Sequence, residues 1–218
     1  MYDYTIISSA YTRVIQGSAN GADFVYFGML ICDGADPIVQ QIYAYAKQVL
    51  NALEIKNSAG HAEIMYNPRT GPCLIEVGAR PHGGEGIFIP VAQKLMGYTI
   101  IDVMSAAAIG PEEFSKFPEL CTLKNKGFGA VIDLVCYQQG VLKGINSEAD
   151  AAIRRLPTFL DYKCLPTPGQ VLEPTVDMFS TVGCVLLLSH EDNKSQDNEK
   201  EDSDPDQAAL KPKCLVEH

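Results

Sequence analysis

No stretch of this sequence reaches the roughly 18 apolar residues that a membrane-crossing helix needs. No CxxC pair occurs among its seven cysteines, and no basic cluster marks a surface for nucleic acid. Each absence closes a class of function: neither a membrane nor a nucleic acid is an expected partner. Cys32, Cys73, Cys121, Cys136, Cys164, Cys184 and Cys214 are odd in number and mostly sit in apolar runs. With no secretory segment ahead of them, they read as reduced core thiols of a cytoplasmic protein. Their spacing with the four histidines does not point to a zinc site. No internal repeat is visible. Met1 opens into "YDYTIISSAYTRVI", which looks like a strand rather than a targeting peptide; a targeting sequence upstream of Met1 stays open.

What is present suits a globular body: 218 residues, 46% hydrophobic and 20% charged. The net charge of -10 is unevenly spread. Residues 190–207 hold eight acids against Lys194 and Lys200, so the rest of the chain is only mildly acidic. Beyond about Ser189 the composition turns to Asp, Glu, Asn, Lys, Ser and Gln, too polar to offset the entropy of ordering, and predicts a disordered tail.

Ahead of the tail, "TIISSAYTRVI" and "DFVYFGMLI" read as strands split by a turn over "QGSANGA". Asp36 and Pro37 suit the cap and first position of a helix, and Val39, Ile42, Ala46, Val49, Leu50 and Leu53 carry its spacing over 37–54. Residues 88–108 read as helix interrupted at Gly97, with Thr99 able to restart it. "GPEEF" begins a loop or short helix, and 146–155 look like another short helix. "GFGAVIDLVC", "FLDYKCL", "PGQVL" and "GCVLLLS" are further strands.

Between the two long helical stretches, "HAEIMY" and "CLIEVGAR" flank "NPRTGP" and predict a hairpin. Side chains alternate faces along a strand. His61, Glu63 and Met65 then share one face, as do Leu74, Glu76, Gly78 and Arg80, and a connection over 67–72 places Glu63 across from Glu76. Facing carboxylates repel unless a cation lies between them. Mg²⁺ suits that place, since it takes one or two carboxylates plus phosphate oxygens and water. Arg80 is placed to grip phosphate or an acyl phosphate in bidentate fashion. "HGGEG" precedes a helix whose N-terminus, with the backbone N–H groups before it, suits an anion. The plainer alternative is a strand pair whose glutamates face solvent. Against it, the proposed face mixes Met65, Leu74 and Gly78 with the acids, as a pocket wall does.

"HAEIM", a short turn and "CLIEVGARPHGGEG", with "NGADFVYFGMLICDG" upstream, resemble the closing strands of ATP-grasp carboxylate–amine ligases, most of all those that join amino acids. The resemblance implies an α+β fold: the C-terminal ATP-grasp subdomain, an antiparallel sheet with packed helices, over 1–125, a β-rich lobe over 126–188 and the acidic tail over 189–218. It implies ATP and Mg²⁺ as cofactors. Glu63 and Glu76 match the acidic Mg²⁺ ligands, and Arg80 matches the arginine that stabilises the acyl phosphate. Met65 and Ile75 match apolar positions around adenine. His82, Gly83 and Gly84 fall where such ligases contact the carboxylate substrate. Gly78 departs from the asparagine that many relatives use as a third metal ligand, as the amino-acid ligase branch often does. The implied chemistry is attack of a carboxylate on the γ-phosphate of ATP, then displacement of phosphate by an amine. The partners are small carboxylate and amine substrates, amino acids by that likeness, and the resemblance allows a homodimer.

Complete ligases of this type also carry an N-terminal domain and a lid, neither of which has a counterpart here. Three readings stay open: the C-terminal part of a longer ligase, a non-catalytic Mg–nucleotide-binding module completed by a partner, and a scaffold with relic acids.

Overall fold

The computed structural model describes residues 11–56, 58–82, 86–123, 127–189 and 216–217. The opening "TIISS" and residues 190–215 of the predicted acidic tail lie outside them; Val216–Glu217, expected to be disordered with that tail, form a short paired strand instead. The chain forms two compact units, one containing Leu30–Gly127 and the other Val14–Met29 with the chain from Phe128 onward. No helix among the described residues is long and apolar enough to cross a membrane.

In the first unit α1 (Pro37–Ala52) starts where its chemistry allows: Asp36 accepts the Ile38 N–H at 2.7 Å, and Pro37 has no N–H to lose. Behind α1 runs the hairpin β3 (His61–Asn67) and β4 (Gly71–Gly78). Then α2 (Ile89–Met96) ends at Gly97, whose φ of 83° is the left-handed stop that glycine accepts without strain. Thr99 and Asp102 close a reciprocal capping box that restarts the chain as α3 (Ile100–Ile109), and the short α4 (Pro111–Phe114) follows. The apolar faces of α2 and α3 supply much of this unit's core: Val91, Ala92, Leu95, Met96, Val103 and Ala106 are buried, as is Phe88 just ahead of α2.

In the second unit β1 (Tyr11–Ala19), most of β2 (Ala22–Cys32), β5 (Phe128–Asp133), β10 (Cys184–Ser189) and β8 (Phe159–Lys163) make a five-stranded sheet in the order β1-β2-β5-β10-β8. Residues 14–29 therefore fall in this unit, because β2 pairs with β5 rather than with the hairpin of the first unit. The turn expected over 16–22 shrinks to Asn20–Gly21, with φ of 51° and 80°. A two-residue hairpin turn of type I′ needs positive φ at both positions, and Asn-Gly supplies it cheaply. The Asn20 amide then donates to the carbonyls of Cys136 and Thr175, both at 2.8 Å.

β10 runs antiparallel to β5 and to β8, with Leu186 opposite Val131 and Cys184 opposite Asp133. Val25, Val131, Cys184 and Leu186 are wholly withdrawn from solvent. A second cluster packs Cys136, Leu142, Leu172 and Val182 against Leu134, Ile145 and Tyr162 and against Ala149 and Ile153 of α5 (Ser147–Arg154). Two small pairs, β6 (Gly140–Val141) with β9 (Val171–Leu172) and β7 (Gly144–Ile145) with β11 (Val216–Glu217), complete the architecture. The cysteines divide: Cys121, Cys136 and Cys184 are buried, but Cys73 and Cys164 are exposed, so the expectation of core thiols fails for these two. Each sits where the chain turns a side chain outward, Cys73 on the open face of β4 and Cys164 just past the end of β8 at φ 56°.

Asp133 ends β5 with no ion pair among the described residues, and burial pushes its carboxyl up to about 6. The folded state thus favours the protonated form, whereas an unfolded aspartate titrates at about 4. The penalty is absent below about pH 4, grows as pH rises, and is complete above about 6. Asp133→Asn should therefore gain stability over the parent on going from acid to neutral pH. Thermal unfolding at several pH values checks this, and a difference that is constant across pH would show that Asp133 titrates normally.

Candidate functional site

The hairpin brings the two predicted acids together by a route that local pattern does not reveal. The connection is Asn67–Gly71, tighter than the 67–72 link expected: Asn67 accepts the Arg69 N–H at 2.8 Å through its side chain and the Thr70 N–H at 3.2 Å through its carbonyl, and Gly71 has φ 82°. From that turn the pairs run Asn67 with Gly71, Met65 with Cys73 and Ile64 with Leu74. Continued without a break, this register would set Glu63 opposite Ile75. A β-bulge between Glu63 and Ile64 on the β3 side absorbs Ile75 and sets Glu63 opposite Glu76, with His61 opposite Gly78.

The same bulge corrects one expectation. Leu74 does not share a face with Glu76. It turns with Ile64 to the back of the hairpin, where α1 lies; the Leu74 N–H donates to the Tyr45 hydroxyl at 3.2 Å, and the Tyr66 hydroxyl donates to Gln41 Oε1 at 3.2 Å. The front face carries Glu63, Glu76, Met65 and Cys73, all exposed. Met65 and Ile75 are 63% and 60% exposed, a large amount of apolar surface to leave beside two carboxylates. The predicted pocket wall is thus an open face in this chain.

Among the described residues no group of three or more His, Cys, Asp or Glu side chains is placed to hold a metal ion. Two facing carboxylates are nevertheless a donor set that fits Mg²⁺, which binds through one or two carboxylates and completes its shell with phosphate oxygens and water. They do not fit a closed protein cage of the kind Zn²⁺ takes.

Arg80 lies one rung along. Its side chain folds over Gly78, with Cγ 3.4 Å and Nε 3.5 Å from where a Cβ of residue 78 would stand, and its Nη1 donates to the Pro81 carbonyl at 3.1 Å. His82 stacks on His61 with ring centroids 4.5 Å apart and tilts against Phe88 at 4.8 Å. Both His82 ring nitrogens are shut off from water and have no hydrogen-bond partner among the described residues. Burial lowers its pKa from the usual imidazole value, helped by His61 and Arg80. Gly83 and Gly84 lie outside the described residues. α2 begins at Ile89 with no side chain capping it. Glu63, Glu76, Met65, Ile75, Arg80 and His82 thus all lie on or beside the hairpin. The bulge and the His61–His82–Phe88 stack escaped sequence reasoning; the one available signal was His61 standing two residues before Glu63, on its face.

No protein-family model matches the chain. Dapdiamide A synthase from Enterobacter agglomerans is 27% identical over 146 residues, covering 66% of this chain and 33% of that protein. The L-amino acid ligase from Bacillus licheniformis superposes with a TM-score of 0.63 at 18% identity, over 81% of this chain and 42% of its own. Phosphoribosylglycinamide synthetase from Anaerococcus prevotii gives 0.60 at 14% identity, over 82% and 43%. The chain has the ATP-grasp fold, and this partial coverage fits the C-terminal portion of that fold. Within it, the sequence likeness runs to Dapdiamide A synthase, of which the chain spans about a third.

Proposed function

We propose that this chain supplies the metal- and acyl-phosphate-binding part of an ATP-dependent carboxylate–amine ligase. The observation that carries the reading is Glu63 standing in register with Glu76 on an open face that also presents Met65, with Ile75 exposed at the bulge beside them. The two carboxylates would hold Mg²⁺ against the phosphates of ATP, and Met65 and Ile75 would lie against adenine. Arg80 would take the oxygens of the acyl phosphate as charge gathers there, and His82 with Gly83 and Gly84 would meet the carboxylate substrate. Such a site does its work by positioning and charge compensation rather than by covalent chemistry of its own. Bound Mg²⁺ would neutralise the phosphate charge. The structural likeness to an L-amino acid ligase supports amino acids as the carboxylate and amine partners. Ligation is proposed for the complete protein as its cell makes it, since the chain spans 33% of the synthase and 42% of the ligase.

Glu76→Gln tests the reading. It removes one metal-binding charge from an exposed position, so the fold should hold while Mg²⁺-dependent ATP turnover disappears. Nucleotide affinity should also lose its Mg²⁺ dependence. Turnover at the parent rate would remove Glu76 from the metal site.

A further inference from the structure

The bulge that sets Glu63 opposite Glu76 is also the pliable point of the hairpin. Two residues of β4 meet one of β3 there, the ladder is interrupted and the strand bends. Among the described residues β3 is the one strand that β4 pairs with, and a two-stranded hairpin has little rigidity of its own. The place of the Glu76 carboxylate therefore depends on what holds β4 from outside. α1 does so at two points. Tyr66, nearer the turn, donates its hydroxyl to Gln41 Oε1 at 3.2 Å. Leu74, the last residue before the inserted Ile75, donates its backbone N–H to the Tyr45 hydroxyl at 3.2 Å. Gln41 and Tyr45 are four residues apart, so they stand on one face of α1 with about 6 Å of helix between them. Tyr66 pairs with Pro72, two residues of strand from Leu74, a span of about 7 Å. The two spacings agree, so α1 holds both ties at once. The Tyr45 tie falls at the bulge and takes a main-chain donor, so it fixes the strand itself rather than the tip of a side chain.

We propose that Tyr45 is a positioning residue for the carboxylate pair: by accepting the Leu74 N–H it clamps β4 at the bulge and keeps Glu76 in register with Glu63. Tyr45 lies behind the hairpin and acts on the front face through the strand. What the register means for Mg²⁺ rests on the ligase reading; the clamp itself does not, and it can be tested without nucleotide or metal.

Tyr45→Phe removes the acceptor and keeps the ring, and Gln41→Ala removes the other tie for comparison. Native-state amide exchange of the 218-residue chain, with no nucleotide or metal, reads the clamp. In Tyr45→Phe the amides of Leu74, Glu76 and Glu63 should exchange faster by several-fold to about tenfold, the scale of one lost hydrogen bond. Those of the buried Val91, Leu95 and Val103 on α2 and α3 should stay within about twofold of the parent, because the opening is local. Gln41→Ala should leave Glu63 and Glu76 within about twofold as well. In the complete protein, the Mg²⁺ concentration for half-maximal ATP turnover should rise about three- to tenfold in Tyr45→Phe, with the rate at saturating Mg²⁺ within about twofold. A hydroxyl that serves stability alone would quicken exchange by one common factor through the hairpin, α2 and α3, and that result overturns the inference. So does unchanged exchange at Glu63 and Glu76, or Gln41→Ala matching Tyr45→Phe at those two residues. An unaltered Mg²⁺ requirement also overturns it, in a protein whose turnover Glu76→Gln abolishes. Turnover that survives Glu76→Gln removes the ligase reading instead, and the exchange rates then decide on the clamp alone.

Discussion

Arg80→Ala should lower the rate of ligation in the complete protein by about two to three orders of magnitude, the usual cost of removing one charge-stabilising donor from a reaction centre. The fold should not notice. Arg80 is exposed, and among the described residues its side chain donates to the carbonyl of the next residue, so the change in stability should stay within about 0.5 kcal/mol. That separation makes the variant informative: a side chain that contributes little to folding but much to rate is there for the chemistry. Its planar fork can meet two oxygens at once, which a lysine ammonium cannot. Arg80→Lys should therefore recover part of the rate and not all of it. Single-turnover formation of ADP and amide at saturating substrates, set beside a thermal melt, provides both readings. A rate within about tenfold of the parent would mean that Arg80 is not the acyl-phosphate contact.

Helix boundaries were legible because they are set by neighbours in sequence. Asp36 with Pro37 starts α1, Gly97 stops α2, and Thr99 with Asp102 starts α3, each through hydrogen bonds that span only a few residues. The pairing of Glu63 with Glu76 was legible in outcome and not in cause. The six-residue link assumed for the hairpin and the tight Asn67–Gly71 turn with its bulge arrive at the same pair, but only the second sends Leu74 to the back of the hairpin. A bulge answers to packing on α1, and no local pattern announces it. The stack of His61 on His82 joins residues from a strand and from the loop beyond its partner, so nothing in the spacing displays it. The openness of the front face was hidden for another reason. Alternation assigns residues to a face but does not say what covers that face, and Met65 and Ile75, apolar and expected to line a pocket, are exposed.

The second large effect concerns the sheet of the other unit. Gly28→Ala should destabilise the chain by about 2–5 kcal/mol, from close contact and from backbone strain together. Gly28 has a φ of 144°, where an L side chain is strained. A Cβ there would also stand 2.3 Å from the Val131 carbonyl oxygen, 3.2 Å from its carbon and 3.1 Å from Ile132 Cα. All three are backbone atoms of β5, so no rotamer change makes room, and β2 would have to pull away from the strand it pairs with. The residues nearby cannot yield either, since Val25 and Val131 are wholly buried. Gly21→Ala is the matched control. Gly21 also has positive φ, at 80°, but nothing lies within 4 Å of its would-be Cβ. It should cost about 1 kcal/mol through strain alone. Urea unfolding of the two variants separates the contributions: a midpoint loss several times larger for Gly28→Ala assigns the excess to the contact with β5. Equal losses would mean that the sheet relaxes around residue 28 and that strain alone keeps glycine there.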